Sequence, residues 1–135
     1  MAAETSPSVL YVPLIGITSV PEPLALPKGP GTIIYRYAVK NFLRGYPLTD
    51  VQVTDDKCSP AKFVEGDDNN DGKLDYGETW RYTCTAKLFI TTQSIATATG
   101  IANNLVATHK AYATVVVGSD NPYPLVNIIN VTKVS

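Results

Sequence analysis

The residues best placed to do chemistry lie in one stretch, "DDNNDGKLDYGE", residues 67 to 78. Asp67, Asn69 and Asp71 occupy its first, third and fifth positions, Gly72 the sixth, Asp75 the ninth and Glu78 the twelfth. Oxygen donors at that spacing, with a glycine at the sharp turn, follow the ligand order of an EF-hand loop. There the seventh residue, here Lys73, contributes its backbone carbonyl and the final glutamate binds through both oxygens. The chemistry this spacing serves is calcium coordination. Charge density points the same way. Glu65, Asp67, Asp68, Asp71, Asp75 and Glu78 are six of the chain's twelve acids, and only Lys73 opposes them locally. Such crowding repels itself unless a cation neutralises it.

An EF-hand sensor also requires a helix on either side, and the flanks do not provide one. Downstream, Trp80, Tyr82, Cys84, Ala86 and Leu88 alternate with Thr79, Arg81, Thr83, Thr85 and Lys87. That is the period of a half-buried strand. Upstream, Pro60 spoils a helix. The loop is therefore expected to join two strands and to act as a structural clamp, not as a switch that opens on binding.

The elements that must position it are strands as well. "TIIYRYAV" places Ile33, Tyr35, Tyr37 and Val39 on one face and Arg36 and Lys40 on the other. "DVQVTD", "SIATATGIA" and "LVATHKAYATVVVG" are short, alternating or rich in Thr, Ala and Val, which suits a pleated sheet. Turn clusters separate them near residues 30, 46, 70, 103 and 121. About seven strands with regular turns predict an all-β fold, an immunoglobulin-like sandwich spanning residues 9–119. "VPEPLALPKGPG" carries four prolines and is expected to cross between sheets as an extended connector. Residues 1–8 read as a flexible start, and 120–135 as a linker and an apolar, strand-like tail.

Cys58 and Cys84 bracket the acidic loop. They could be free core thiols, metal ligands or a disulfide. Zinc would want four nitrogen or sulfur ligands, and His109 is the sole further candidate. A disulfide is the preferred reading. Bridges persist outside the cytosol, where calcium is also abundant, so both features point to an extracellular, cell-surface location.

The runs "YRYAVKNFLRGYPLTDVQVTDDKCSP", "GDDNNDGKLDYGETWRYTCT" and "SIATATGIANNLVATHKAYATVVV" resemble the tandem immunoglobulin-like repeats of large bacterial and archaeal surface proteins. The resemblance covers roughly residues 11 to 118 and is most specific from Leu48 to Cys84. It implies a β-sandwich in stalks, sheaths or surface layers, without catalysis. The segment "NFLRGYP" departs from the family's shorter polar turn, and its Phe42, Leu43 and Tyr46 suggest a contact there.

Catalytic motifs are missing: no nucleophile elbow, His-Glu-x-x-His pair, phosphate-cradling glycine loop or dinucleotide fingerprint occurs. His109 shares the phase of Ala107, Ala111 and Ala113, where a lone histidine is structural. Asp55 and Asp56 are adjacent in a strand and do not converge. A net charge of −1 gives no footprint for nucleic acid or an anionic membrane, and no apolar run approaches a membrane span. "MAAETSPS" does not read as a secretion signal. Eight tyrosines leave a calcium-dependent adhesin or carbohydrate-binding module as the alternative to a scaffold.

The partner expected is the protein itself. "PLIGITSV" near the start and "INVTKV" near the end match when Ile15 is aligned with Ile129, an interval of one domain. Leu125, Val126, Ile128, Ile129, Val131 and Val134 make the tail too apolar for an ordinary terminus. A strand without a sheet seeks an edge, so head-to-tail strand addition into a filament is expected, with the receiving edge beside Ile15 to Val20 of another copy.

Overall fold

The computed structural model describes residues 12–119. Alternation of apolar and polar side chains becomes eight strands, and these residues contain no helix. In chain order they are β1 (Ile15–Glu22), β2 (Ala25–Leu26), β3 (Gly31–Asn41), β4 (Thr49–Asp55), β5 (Lys62–Glu65), β6 (Thr79–Leu88), β7 (Thr92–Ala102) and β8 (Leu105–Val117). One sheet has the order β1-β3-β6-β5 and the other β2-β8-β7-β4. The first matches the A-B-E-D sheet of a constant-type immunoglobulin domain, and β8-β7-β4 matches its G-F-C sheet. The fold is an immunoglobulin-like β-sandwich.

The two inner faces differ in size, and that difference packs them. β3 and β6 turn Ile33, Tyr35, Tyr37, Val39, Trp80 and Tyr82 inward, each 7% exposed or less. The facing strands β7 and β8 offer small groups: Ser94, Ala96, Ala98, Ala107 and Ala113 are buried too. Rings from one sheet fill the space that alanines leave on the other, so the layers interdigitate. Gly100 belongs to the same pattern. A Cβ there would stand 3.2 Å from that of Leu48, which is fully buried.

The proline-rich connector crosses between sheets as expected, but it is not free of pairing. Pro21 lies within β1, opposite Tyr35, and the chain then adds the two-residue β2 in parallel to Val116 and Val117 of β8. Pairing also fixes which loops meet. Ile15 lies opposite Asn41, Lys40 opposite Thr79, and Thr49 opposite Ile101. The acidic loop, the start of β1 and the β7–β8 turn therefore share one end of the sandwich. Gly31 lies opposite Leu88 and Thr92 opposite Val115, so the last described residues are at the far end.

Candidate metal-binding loop

Residues 66 to 78 connect β5 to β6, two antiparallel neighbours, as the flanking pattern predicted. Gly66 opens the loop at φ 129° with its α-carbon pressed against the Thr79–Trp80 backbone, so no side chain fits there. Gly72 at the sixth position has φ 76°, the left-handed turn this loop needs.

Side-chain oxygens then curl the loop around itself. Asp67 accepts the N–H of Asp71 at 3.2 Å and that of Gly72 at 2.8 Å. Asn69 Oδ1 accepts the Asp71 N–H at 3.3 Å, and Asp71 Oδ1 accepts the Lys73 N–H at 2.9 Å. The Asn69 amide nitrogen donates to both Asp71 (3.3 Å) and Asp75 (3.1 Å). Two carboxylates thus converge on one polar hydrogen donor. The Lys73 N–H holds the Asp71 carboxyl below its ordinary pKa, whereas burial and then the neighbouring Asp71 push that of Asp75 up.

The twelfth residue behaves differently from the others. Glu78 is buried, and its carboxylate accepts the N–H of Asp75 at 3.0 Å, that of Asp68 at 3.0 Å and the Trp80 indole N–H at 3.1 Å. It staples the first and last turns of the loop to the core. Among the described residues no three or more His, Cys, Asp and Glu side chains are gathered into a metal-holding group. The set fits calcium by donor chemistry: Asp67, Asn69, Asp71, Asp75 and the Lys73 carbonyl are oxygen donors on one short loop, and Glu78 Oε2, which accepts a single N–H, keeps lone-pair capacity while Oε1 is taken up by two.

The anchors of the loop are residues that the spacing argument did not name. Leu74, its eighth residue, is fully buried and exchanges two backbone hydrogen bonds with Leu48, at 2.8 and 3.0 Å. Asn41, buried at the end of β3, donates to the carbonyls of Leu74 (3.0 Å) and Tyr46 (2.9 Å). The "NFLRGYP" segment is thereby fastened beside the acidic loop, and Arg44 lies 4.6 Å over the Tyr76 ring. Phe42 is 57% exposed and rests on the bare α-carbon of Gly16, which is the contact its apolar character suggested.

Cys58 and Cys84 form a disulfide, with α-carbons 6.1 Å apart. It ties the turn after β4 to β6, and so one sheet to the other. Asp55 and Asp56 shape that turn. Asp55 accepts the Tyr37 hydroxyl at 2.6 Å and the Lys57 N–H at 2.9 Å; Asp56 accepts the Ile95 N–H at 2.8 Å, which lowers its pKa. His109 is on the inward phase of β8 yet exposed, and its Nδ1 accepts the N–H of Ile17 at 3.0 Å. The tail residues Leu125, Val126, Ile128, Ile129, Val131 and Val134 lie outside the described residues.

No described helix is long and apolar enough to cross a membrane. Comparison of the whole chain with protein-family models finds none that matches, and a search of curated proteins finds no match either.

Proposed function

We propose that the chain is a non-enzymatic, extracellular structural module, similar to the tandem repeats of bacterial and archaeal surface proteins, that calcium stabilises and that assembles with copies of itself. One observation carries this reading. A loop with calcium-ligand spacing is fastened to the sandwich at Leu74 and Glu78, between two strands of one sheet. A cation there rigidifies a fold and has no hinged helices to move. The disulfide agrees with an oxidising compartment. For assembly, the support is that the described chain begins at the loop end and finishes at the far end, the arrangement that head-to-tail contacts require. Such a contact does not close on itself and extends into filaments.

The deciding experiment is sizing of the full chain, with calcium and with chelator, beside a form lacking residues 121–135. The full chain should assemble with calcium, and the shortened one should stay monomeric. A monomer at high concentration with calcium, or equal assembly after deletion, defeats the proposal.

The second reading, an adhesin or carbohydrate binder, has a cleft of about 490 Å³ beside β4 and β5, lined in part by Phe63, Trp80, Tyr82 and Asp67. Trp80 and Tyr82 are buried, so Phe63 alone would offer a ring face. Calcium-dependent retention on immobilised glycans would favour this second reading.

A further inference from the structure

The outer face of the β1-β3-β6-β5 sheet carries positive charge that its own ion pairs leave over. Gly16 and Thr18 on β1, Ala38 and Lys40 on β3, and Thr79 and Arg81 on β6 alternate with buried neighbours, so they share that face. Register sets them in two rows across the strands, Gly16–Lys40–Thr79 and Thr18–Ala38–Arg81. Gly16 and Ala38 carry the least bulk, and the face dips at them into a cavity of about 320 Å³. Lys40 and Arg81 line it as diagonal neighbours on paired strands, with α-carbons roughly 7–8 Å apart.

The walls contribute different groups. Phe42 meets Gly16 with one vertex of its ring: Cε2 is the nearest atom, and Cδ2 and Cζ lie 3.2 and 3.3 Å from the place a Cβ would take. The ring therefore stands on the glycine and gives the cavity an apolar wall. His109 comes from β8, in the other sheet. Because its Nδ1 accepts the Ile17 N–H at 3.0 Å, the neutral ring carries its proton on Nε2, which is a donor. Thr18 and Thr79 add hydroxyls, and no acidic side chain lines the cavity among the described residues. No described carboxylate pairs with Lys40, and Arg81 has the exposed Glu65 at 3.9 Å. An exposed pair at that distance contributes little and yields to a competing anion.

We propose that this cavity binds one carboxylate-bearing sugar residue, a hexuronic acid. Lys40 and Arg81 take the carboxylate through charge-assisted hydrogen bonds. Phe42 takes the C–H face of the pyranose, and the His109 Nε2–H and the two threonines take hydroxyls. Simpler ligands leave part of the site idle. An inorganic anion has no use for the ring, and a neutral sugar leaves both cations unpaired. The volume is at the lower bound of small-molecule sites, which suits a single sugar residue. The site is separate from the cleft beside β4 and β5 and uses no side chain of the acidic loop. A module built this way holds an acidic polysaccharide without calcium, whether or not it assembles with itself.

The test is an amide NMR titration of the full chain in calcium-free buffer, with D-glucuronate as the probe beside D-glucose and acetate. Glucuronate should give saturable shifts at Gly16, Thr18, Ala38, Lys40, Arg81 and His109, and the other two should bind roughly tenfold or more weakly. Lys40→Gln and Arg81→Gln, both at exposed positions, should each weaken glucuronate about tenfold or more. Phe42→Ala should bring its affinity down to that of acetate. Lys87→Gln, on the same face at the far end of β6, should change nothing. Equal affinity for acetate would reduce the site to a place for any carboxylate, and equal affinity for glucose would remove the cations from it. Shifts confined to other residues, shifts seen only with calcium, or an unaltered response in Lys40→Gln and Arg81→Gln would move the sugar elsewhere. Each of these outcomes overturns the proposal, and none bears on self-assembly, which sizing decides.

Discussion

The Trp80 indole N–H and the Glu78 carboxylate meet at 3.1 Å, two positions apart at the start of β6, where the acidic loop joins the core. Glu78→Ala would leave that buried N–H without a partner and release the amides of Asp68 and Asp75. An unsatisfied buried donor costs about 1–3 kcal/mol. Melting in chelator should fall by roughly 5–15 °C. A wild-type transition for Glu78→Ala would mean that the staple contributes nothing.

Asp71 gives the opposite expectation, because its side chain is exposed. Asp71→Ala should change stability in chelator by less than about 0.5 kcal/mol and abolish the gain from calcium. At a free calcium concentration about 100-fold above the dissociation constant, that gain is about 2.7 kcal/mol. The chain has a single tryptophan, so fluorescence of Trp80 should titrate with calcium in the parent protein and stay flat in the variant. An unchanged melting curve in excess chelator would defeat calcium stabilisation outright.

The strands that were legible share a property. Ile33, Tyr35, Tyr37 and Val39 on β3, and Trp80, Tyr82, Cys84 and Leu88 on β6, have one wet and one dry face, so burial writes period two into the sequence. β5 was not legible because all four of its residues are exposed, and nothing in their order marks an inner face. β2 was hidden for another reason: its two residues are strand only because Val116 and Val117 lie beside them, some ninety positions later. In the acidic loop, the candidate ligand positions follow local spacing and could be read. The Asn41 and Leu48 anchors act on Leu74 from elsewhere in the chain, and long-range contacts leave no periodic trace.

The Cys58–Cys84 bridge should make the intact protein about 2 Da lighter than its reduced form, the mass of the two hydrogens lost on forming one bond. Its loop of 27 residues corresponds to about 3 kcal/mol of chain entropy, so reduction should lower stability by that order. Bridge and cation constrain the same segment before β6. Reduction and chelation together should therefore destabilise by a different amount than their separate effects sum to. Labelling of both thiols in unreduced, denatured protein would exclude the bridge.

Alkaline pH should unfold the domain through its buried tyrosines. Burial pushes the Tyr82 hydroxyl from 10.0 up to about 12, and burial also raises Tyr35 and Tyr37, the last further held by its hydrogen bond to Asp55. In each case the folded state keeps a proton that the unfolded chain releases near pH 10. Stability is therefore complete below pH 10, and from there to about pH 12 the unfolded state binds fewer protons and gains on the folded one. Denaturant midpoints measured between pH 8 and pH 12 should be level at first and then fall. Tyr82→Phe removes one of the titrating groups and keeps the ring that meets Phe63 edge-on at 5.5 Å. The fall above pH 10 should be shallower in that variant, while the midpoint at pH 8 stays within about 1 kcal/mol of the parent. A decline of the same slope in both proteins would show that Tyr82 does not titrate with unfolding.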